Sequence, residues 1–276
     1  MRKECKICNG EATLKHVIKN INYYYCKKCS FLFSLYWDKH SLDKQIRINK
    51  EMRKKLWHKT DDEEAKRRWS EFVKLASPGF NLTHLFLFYS KIYTITKIIQ
   101  HPMALFQMSF ANDIRKLKDI APVPQKLKDI NNILDFGCGH GEGVVALREI
   151  GYNCIGVDPF SPSTSSFIVN KPLHEAHFES NYFDAIISVE TMEHVSDVME
   201  TFKELYRILK IGRGLFIQTM WLDCSEYQKE KDKWFYIQDP DVHVSIYSEK
   251  TLRIIKEKIG FSQLKVKSPK YSVFWK

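Results

Sequence analysis

The sequence predicts an α/β protein: a mostly parallel sheet with helices on both faces, preceded by a small metal-binding module and a helical stretch. Three observations predict it. Residues 131–276 alternate short apolar runs with amphipathic helical patterns, the rhythm of successive βα units. A glycine-rich turn, LDFGCGHGEG at 134–143, follows the first of those runs. Two Cys-x-x-Cys pairs stand near the N-terminus.

The 276 residues suffice for one α/β domain with additions. A hydrophobic fraction of 44% with 13% aromatics excludes a disordered chain. The opening MRKECKICNG carries charges and cysteines where a secretory leader has an apolar core. The most apolar later stretch, LTHLFLFYSKIYTITKIIQ at 82–100, is interrupted by His84, Lys91 and Lys97, whereas a membrane span needs about 20 apolar residues in a row. A soluble, cytoplasmic protein is therefore expected. Charge is uneven: residues 1–130 hold 26 Lys and Arg against 13 Asp and Glu, while residues 131–276 hold 17 against 20. Two readings of the basic half stay open, a solvated Lys-rich surface and attraction of an acidic partner such as a phosphorylated substrate or RNA.

Residues 1–40 form the metal module. Cys5 and Cys8 read C-K-I-C, and Cys26 and Cys29 read C-K-K-C after seventeen intervening residues. Each pair lets two thiolates converge on one ion, a strong zinc-ribbon signal. The intervening TLKHVIKNINYYY has the alternation of a hairpin. Four thiolates complete a tetrahedron, so the expected zinc is structural. Tyr23, Tyr24 and Tyr25 beside Cys26 read as hairpin packing residues.

Residues 41–130 are helical in character and expected to cap the substrate side. Trp69, Phe72, Val73 and Ala76 fall at i, i+3, i+4 and i+7 on one face. Ser77-Pro-Gly79 ends that helix, and a second runs from near Asn81 to Gln100 ahead of Pro102.

From Asn131 onward, NNILDF is the first strand, GVVALREI a helix, NCIGVD the second strand and SFIVN a weak third. FDAIISV is the fourth strand, DVMETFKELYRILK a helix and RGLFIQTM the fifth strand. A helix SEKTLRIIKEKIG, capped by Ser248, precedes a closing hairpin about the Ser-Pro turn of FSQLKVKSPKYSVFWK.

The glycine turn narrows the ligand. A phosphate loop needs Lys-Ser or Lys-Thr after its last glycine, and here Gly143 precedes Val-Val. The dinucleotide pattern G-x-G-x-x-G fails in both frames, meeting Glu142 or Val144 where glycine is required. What stands is G-x-G-x-G behind Asp135, with Asp158 closing the second strand in GVDPF.

These residues resemble the class I S-adenosylmethionine-dependent methyltransferases, whose core is a Rossmann-like sheet, and the resemblance covers residues 131–276 almost fully. It is supported by FDAIISVETMEHV at the fourth strand and LKIGRGLFIQTM leading into the fifth. Together with the cysteines it points to bacterial methyltransferases that carry an N-terminal zinc ribbon, many of which act on sugars or other small molecules. The resemblance implies that Gly137, Gly139 and Gly141 let the backbone approach the methionine part of the cofactor. Asp135 would hold its ammonium, and Asp158 would accept from the ribose hydroxyls. Two departures stand out. Only PFSPSTSS separates Asp158 from Phe167, where the family has a helix of about three turns. The acidic residue that meets the adenine amino group is also missing, leaving Asn170 or Glu175 as substitutes.

Methyl transfer from a sulfonium is an in-line displacement that needs an aligned acceptor and, for a hydroxyl or carbon acid, proton removal. Histidine suits that task near neutral pH. His243 in DPDVHVSIYS is the first candidate base, since zinc-ribbon sugar C-methyltransferases carry a similar stretch matched here by His243, Tyr247 and Ser248. The Glu usual before that His is Val242 here. His194 is the second candidate, with a loop-shaping role equally open. Glu190 and Glu193 are placed near the active-site mouth, Glu190 among the expected cofactor-binding residues, with a solvated helix start as the blander reading. Tyr247 joins the two histidines as a candidate catalytic residue. The expected function is methyl transfer to a sugar or other polar metabolite. RNA base methylation and a non-catalytic binding protein of the same fold are the competing readings. Against the former, SVETMEH lacks the Asn/Asp-Pro-Pro-aromatic turn that holds a flipped amino base.

Overall fold

A computed structural model of the chain describes residues 2–40, 44–45, 47–48, 130–149, 151–268 and 271–276. The helical faces expected at 69–76 and 81–100 lie outside the described residues. The chain divides into two compact units, residues 1–45 with 173–276, and residues 46–172.

In the first unit, β1 (Arg2–Glu4), β2 (Glu11–Ile18), β3 (Ile21–Cys26) and β4 (Phe31–Ser34) run antiparallel in that order. Lys19 and Asn20, at φ +47° and +64°, turn the chain between β2 and β3, with Ile18 opposite Ile21. Two consecutive left-handed residues give the primed turn whose twist matches paired strands. The strand β4 is buried along its whole length. Its Phe31 and Phe33 rings stack at 5.4 Å, and Phe31 also meets Tyr247 at 5.5 Å.

In the second unit, β5 (Asn132–Phe136), β6 (Asn153–Val157) and β7 (Ile168–Val169) pair in parallel. Helix α1 (Glu142–Glu149) makes the crossover between the first two strands, as parallel neighbours require. No helix links β6 to β7. Instead the Oγ atoms of Ser161, Ser163 and Ser165 each accept the amide two residues ahead, at 3.2, 3.3 and 3.3 Å. These nested serine turns satisfy the backbone without a helix. The helix α1 lies close against β6: a Cβ at Gly156 would meet Cys138 Sγ at 2.6 Å and Val144 Cγ2 at 2.8 Å.

Back in the first unit, β8 (Phe183–Val189) is buried at every residue, as expected of a strand covered on both faces. Helix α2 (Val198–Ile208) returns the chain to β9 (Leu209–Gln218), which pairs in parallel with β8. The sequence places Leu209 and Lys210 in the helix, whereas the structure ends it at Ile208. The buried Leu209 instead pairs with Phe183 at the start of β9, and the register shifts before Ala185. The Lys276 ammonium donates to the carbonyls of Tyr206 and Leu209 at 2.8 and 2.9 Å, stabilising that abrupt end.

A short helix α3 (Ser225–Glu230) precedes β10 (Ser245–Ile246) and helix α4 (Glu249–Ile259). The Ser248 hydroxyl accepts the Thr251 amide in a capping box, and Gly260 at φ +97° ends α4. The hairpin of β11 (Gln263–Ser268) and β12 (Tyr271–Trp275) lies antiparallel along β9, giving a mixed sheet. The Ser-Pro turn inside it lies partly outside the described residues. Phe202 of α2 and Phe261 both pack on Phe274 of β12, at ring separations of 5.4 and 5.0 Å.

The N-terminal sheet does not end at β4. Strand β10 adds to its edge, with Ser245 opposite Phe33 and Ile246 opposite Leu32. The Thr251 hydroxyl at the start of α4 donates to the Cys29 carbonyl at 2.9 Å, and Lys258 donates to the Ile7 carbonyl at 2.8 Å. The cysteine-bearing segment is thereby built into the C-terminal part of its unit.

Candidate active site

The glycine turn lies in the second unit. Gly137, Gly139 and Gly141 all have positive φ, at +79°, +58° and +89°. This left-handed backbone is strained for residues with a Cβ, so the alternate spacing has a conformational cause. At Gly141 a Cβ would also stand 2.1 Å from Ile168 Cδ1. Asp135 lies on β5, 1% exposed. Asp158, 4% exposed, accepts the Gly139 amide on Oδ2 at 2.9 Å and the Phe160 amide on Oδ1 at 2.7 Å. One carboxylate thus fixes the turn to the end of β6, and each oxygen has a second lone pair by its chemistry. Asn170 is exposed and donates to the Ser163 carbonyl at 2.7 Å. Glu175, exposed in the first unit, pairs with His174 at 3.7 Å.

A second cluster is built within the first unit at the C-terminal ends of β8 and β9. Glu190, just past β8, has φ +47°, an uncommon conformation for a side-chain-bearing residue and one that concentrates at functional sites. Its Oε2 accepts the Tyr236 hydroxyl at 3.2 Å. The Tyr236 oxygen also stands 2.8 Å from the Thr219 hydroxyl, which donates to Glu193 Oε2 at 2.8 Å. Burial, then the nearby Glu193 and Glu190 charges, push the Tyr236 phenol well above its ordinary range, so it remains a donor. Glu193 is 0% exposed. The solvated helix start offered by the sequence for this residue is therefore corrected: a short turn, Met192–His194, folds it inward.

His194 and His243 stand beside this carboxylate with ring centroids 5.0 Å apart. His194 Nδ1 lies 2.9 Å from the Val242 carbonyl, and His243 Nδ1 contacts the Tyr236 carbonyl. A carbonyl only accepts, so both Nδ1 atoms carry a proton. His194 Nε2 is 3.4 Å from Glu193 Oε1. Tyr247 is 1% exposed, and its hydroxyl donates to the Met192 carbonyl at 2.9 Å. It holds the turn that carries the cluster. The Ser245 hydroxyl to the Val195 carbonyl, at 2.6 Å, and the Val244 amide to the Glu193 carbonyl, at 2.8 Å, do the same. Tyr23 of the N-terminal sheet donates to the His243 carbonyl at 2.5 Å. Neither Thr219 nor Tyr236 carries a sequence signal, because each sits in an ordinary strand-end or aromatic context with no motif around it.

Cys5, Cys8, Cys26 and Cys29 come together as the sequence requires, all buried and with their sulfurs within 4.8 Å of one another. Cys5 and Cys29 sulfurs are 3.4 Å apart, and those of Cys8 and Cys26 are 3.5 Å apart. Sulfurs about 2.3 Å from a tetrahedral zinc stand about 3.8 Å from each other, so the residues fit the ion. The hydrogen bond from Cys29 holds the Cys5 thiol down at about 5, and that same bond pushes Cys29 up.

The family described as a methyltransferase domain matches residues 107–266 of the chain. The mitochondrial ubiquinone biosynthesis O-methyltransferase of Mus musculus is 32% identical over 136 residues, covering 44% of this chain and 37% of that protein. The 24-methylenesterol C-methyltransferase 3 of Arabidopsis thaliana is 24% identical over 161 residues, covering 51% of this chain and 45% of that one. The chain thus spans under half the length of each of these two relatives. Among solved structures, a SAM dependent methyltransferase from Archaeoglobus fulgidus shares 22% identity at a TM-score of 0.44, covering 63% of this chain and 76% of that one.

Proposed function

The chain belongs to the methyltransferase-domain family, and from that premise we propose that it transfers the methyl group of S-adenosylmethionine to a small polar acceptor, a sugar or nucleotide-sugar hydroxyl or carbon. One observation carries the cofactor half: three left-handed glycines pinned by Asp158 through the Gly139 amide. In this reading Gly137, Gly139 and Gly141 admit the methionine part, Asp135 holds its ammonium, and Asp158 accepts from the ribose. Asn170 lies on the adenine side. Bound S-adenosylmethionine supplies the electrophilic methyl group. His243, whose Nδ1 is engaged by the Tyr236 carbonyl, offers Nε2 as the candidate base, with His194 beside it and Tyr247 as the third candidate catalytic residue. Cys5, Cys8, Cys26 and Cys29 hold a structural zinc, and the protein works in the cytoplasm. Among the described residues no helix is long and apolar enough to cross a membrane.

The names of the two relatives cover an O-methyltransferase and a C-methyltransferase, in keeping with a scaffold that serves either acceptor atom. The sugar acceptor rests on the ribbon and on the His243, Tyr247 and Ser248 pattern. RNA is the competing acceptor, favoured by the basic residues 1–130. The full chain, incubated with methyl-labelled S-adenosylmethionine and a cell extract, is expected to place label in the small polar metabolite fraction. Label confined to RNA, with binding that falls steeply with salt, would overturn the acceptor assignment.

A further inference from the structure

Glu193, His194 and His243 have more order than a proton acceptor needs. Their ligand-capable atoms, one carboxylate oxygen and two imidazole nitrogens, lie within 4.8 Å of one another. Both rings are oriented from behind: each Nδ1 donates to a backbone carbonyl, Val242 for His194 and Tyr236 for His243. That arrangement fixes the tautomer whose Nε2 ligates, and it is the outer-shell bond that metal-binding histidines almost always make. The carboxylate is oriented likewise, with Glu193 Oε2 accepting the Thr219 hydroxyl and Oε1 on the side of His194 Nε2.

We propose that Glu193, His194 and His243 bind one divalent first-row transition-metal ion, separate from the cysteine site. The donor set of two neutral imidazoles and one carboxylate selects zinc, manganese or iron over calcium, which takes oxygen ligands alone. Donors about 2.0–2.2 Å from a tetrahedral ion stand about 3.4 Å apart, so side-chain rotations of about an ångström close the present cluster on it. Three protein ligands leave coordination positions open, the mark of a site that takes an exchangeable ligand rather than a purely structural one. The His194 side chain is 30% exposed against 0% for Glu193, so the cluster meets solvent on its histidine side. The chemical class that fits them is an oxygen donor such as a hydroxyl, enol or phosphate. Its identification with the methyl acceptor rests on the proposed methyl transfer; the cation site itself does not. A bound ion takes the His243 Nε2 lone pair, so His243 serves as base only with the cation site empty, and with the ion bound the Lewis acid lowers the acceptor's pKa in its place.

The test is a titration of Mn2+ into the full chain already loaded with one equivalent of zinc, followed by electron paramagnetic resonance. One bound Mn2+ per chain is expected, with spin-echo modulation from two histidine nitrogens. The substitutions Glu193→Gln, which preserves shape and the bond from Thr219, and His194→Gln should each weaken binding about tenfold or more. No bound Mn2+ at millimolar ion, no nitrogen modulation, or equal affinity in the variants would overturn the site. The modulation is read on the unsubstituted protein, so a poorly folding variant does not blunt the test. Cofactor titration on the same sample is independent of it. Retained Mn2+ without cofactor binding would sink the methyl-transfer reading alone, and cofactor binding without Mn2+ would sink the cation site alone.

Discussion

The Asp158 carboxylate accepts the Gly139 amide and the Phe160 amide, so this side chain shapes the turn before any ligand arrives. Replacing it removes both the turn's anchor and the acceptor proposed for the ribose. A hydrogen bond to a charged group contributes about 1.5–3 kcal/mol, so Asp158→Ala should weaken S-adenosylmethionine binding roughly tenfold to a hundredfold. Unchanged affinity by calorimetric titration would show that the ribose is held elsewhere. His243 is oriented by the Tyr236 carbonyl on one side of the ring and by Tyr23 through its own backbone carbonyl. His243→Ala should lower turnover about a hundredfold or more while cofactor affinity stays intact. Equal loss of both would assign His243 a structural part.

Between α1 and β6 the tolerance is set by Gly156, where an added Cβ would stand 2.6 Å from Cys138 Sγ and 2.8 Å from Val144 Cγ2. Gly156→Ala should cost about 1–3 kcal/mol by overpacking. Cys138→Gly in the same chain should recover part of that loss, and a melt showing purely additive losses would contradict the contact. In β2, burial followed by the Lys15 charge holds His16 below its ordinary 6.5. The folded state therefore favours the neutral ring, and the unfolded chain takes up the proton first as pH falls. The contribution of His16 is whole above pH about 6.5 and is lost as pH drops below it. The melting temperature of His16→Gln should fall less than that of the parent between pH about 7.5 and about 5.5. Parallel curves would rule out this linkage.

Across the unit formed by residues 1–45 and 173–276, the cysteine site reaches the candidate base through pairing. Cys26 and Cys29 flank the approach to β4, β4 pairs with β10, and only Val244 separates His243 from β10. Cys26→Ser should therefore speed hydrogen exchange at Val244 and Ile246 as well as near Cys29. Exchange altered only near the cysteines would show the two ends to be uncoupled. This link was not legible in the sequence, because the two-residue β10 carries no periodicity of its own and more than two hundred residues separate Cys29 from Ser245. Local signals fared better: alternate glycines, cysteine spacing and the Ser248 cap each depend on neighbours within a few residues. The burial of Glu193 is equally illegible locally, since it depends on Thr219 and the 242–247 segment. The glycine turn with Asp135 and Asp158 is the proposed S-adenosylmethionine site. Isothermal titration of the full chain with S-adenosylmethionine tests it most directly. One-to-one binding at micromolar cofactor is predicted, and no heat of binding at high micromolar cofactor would contradict it.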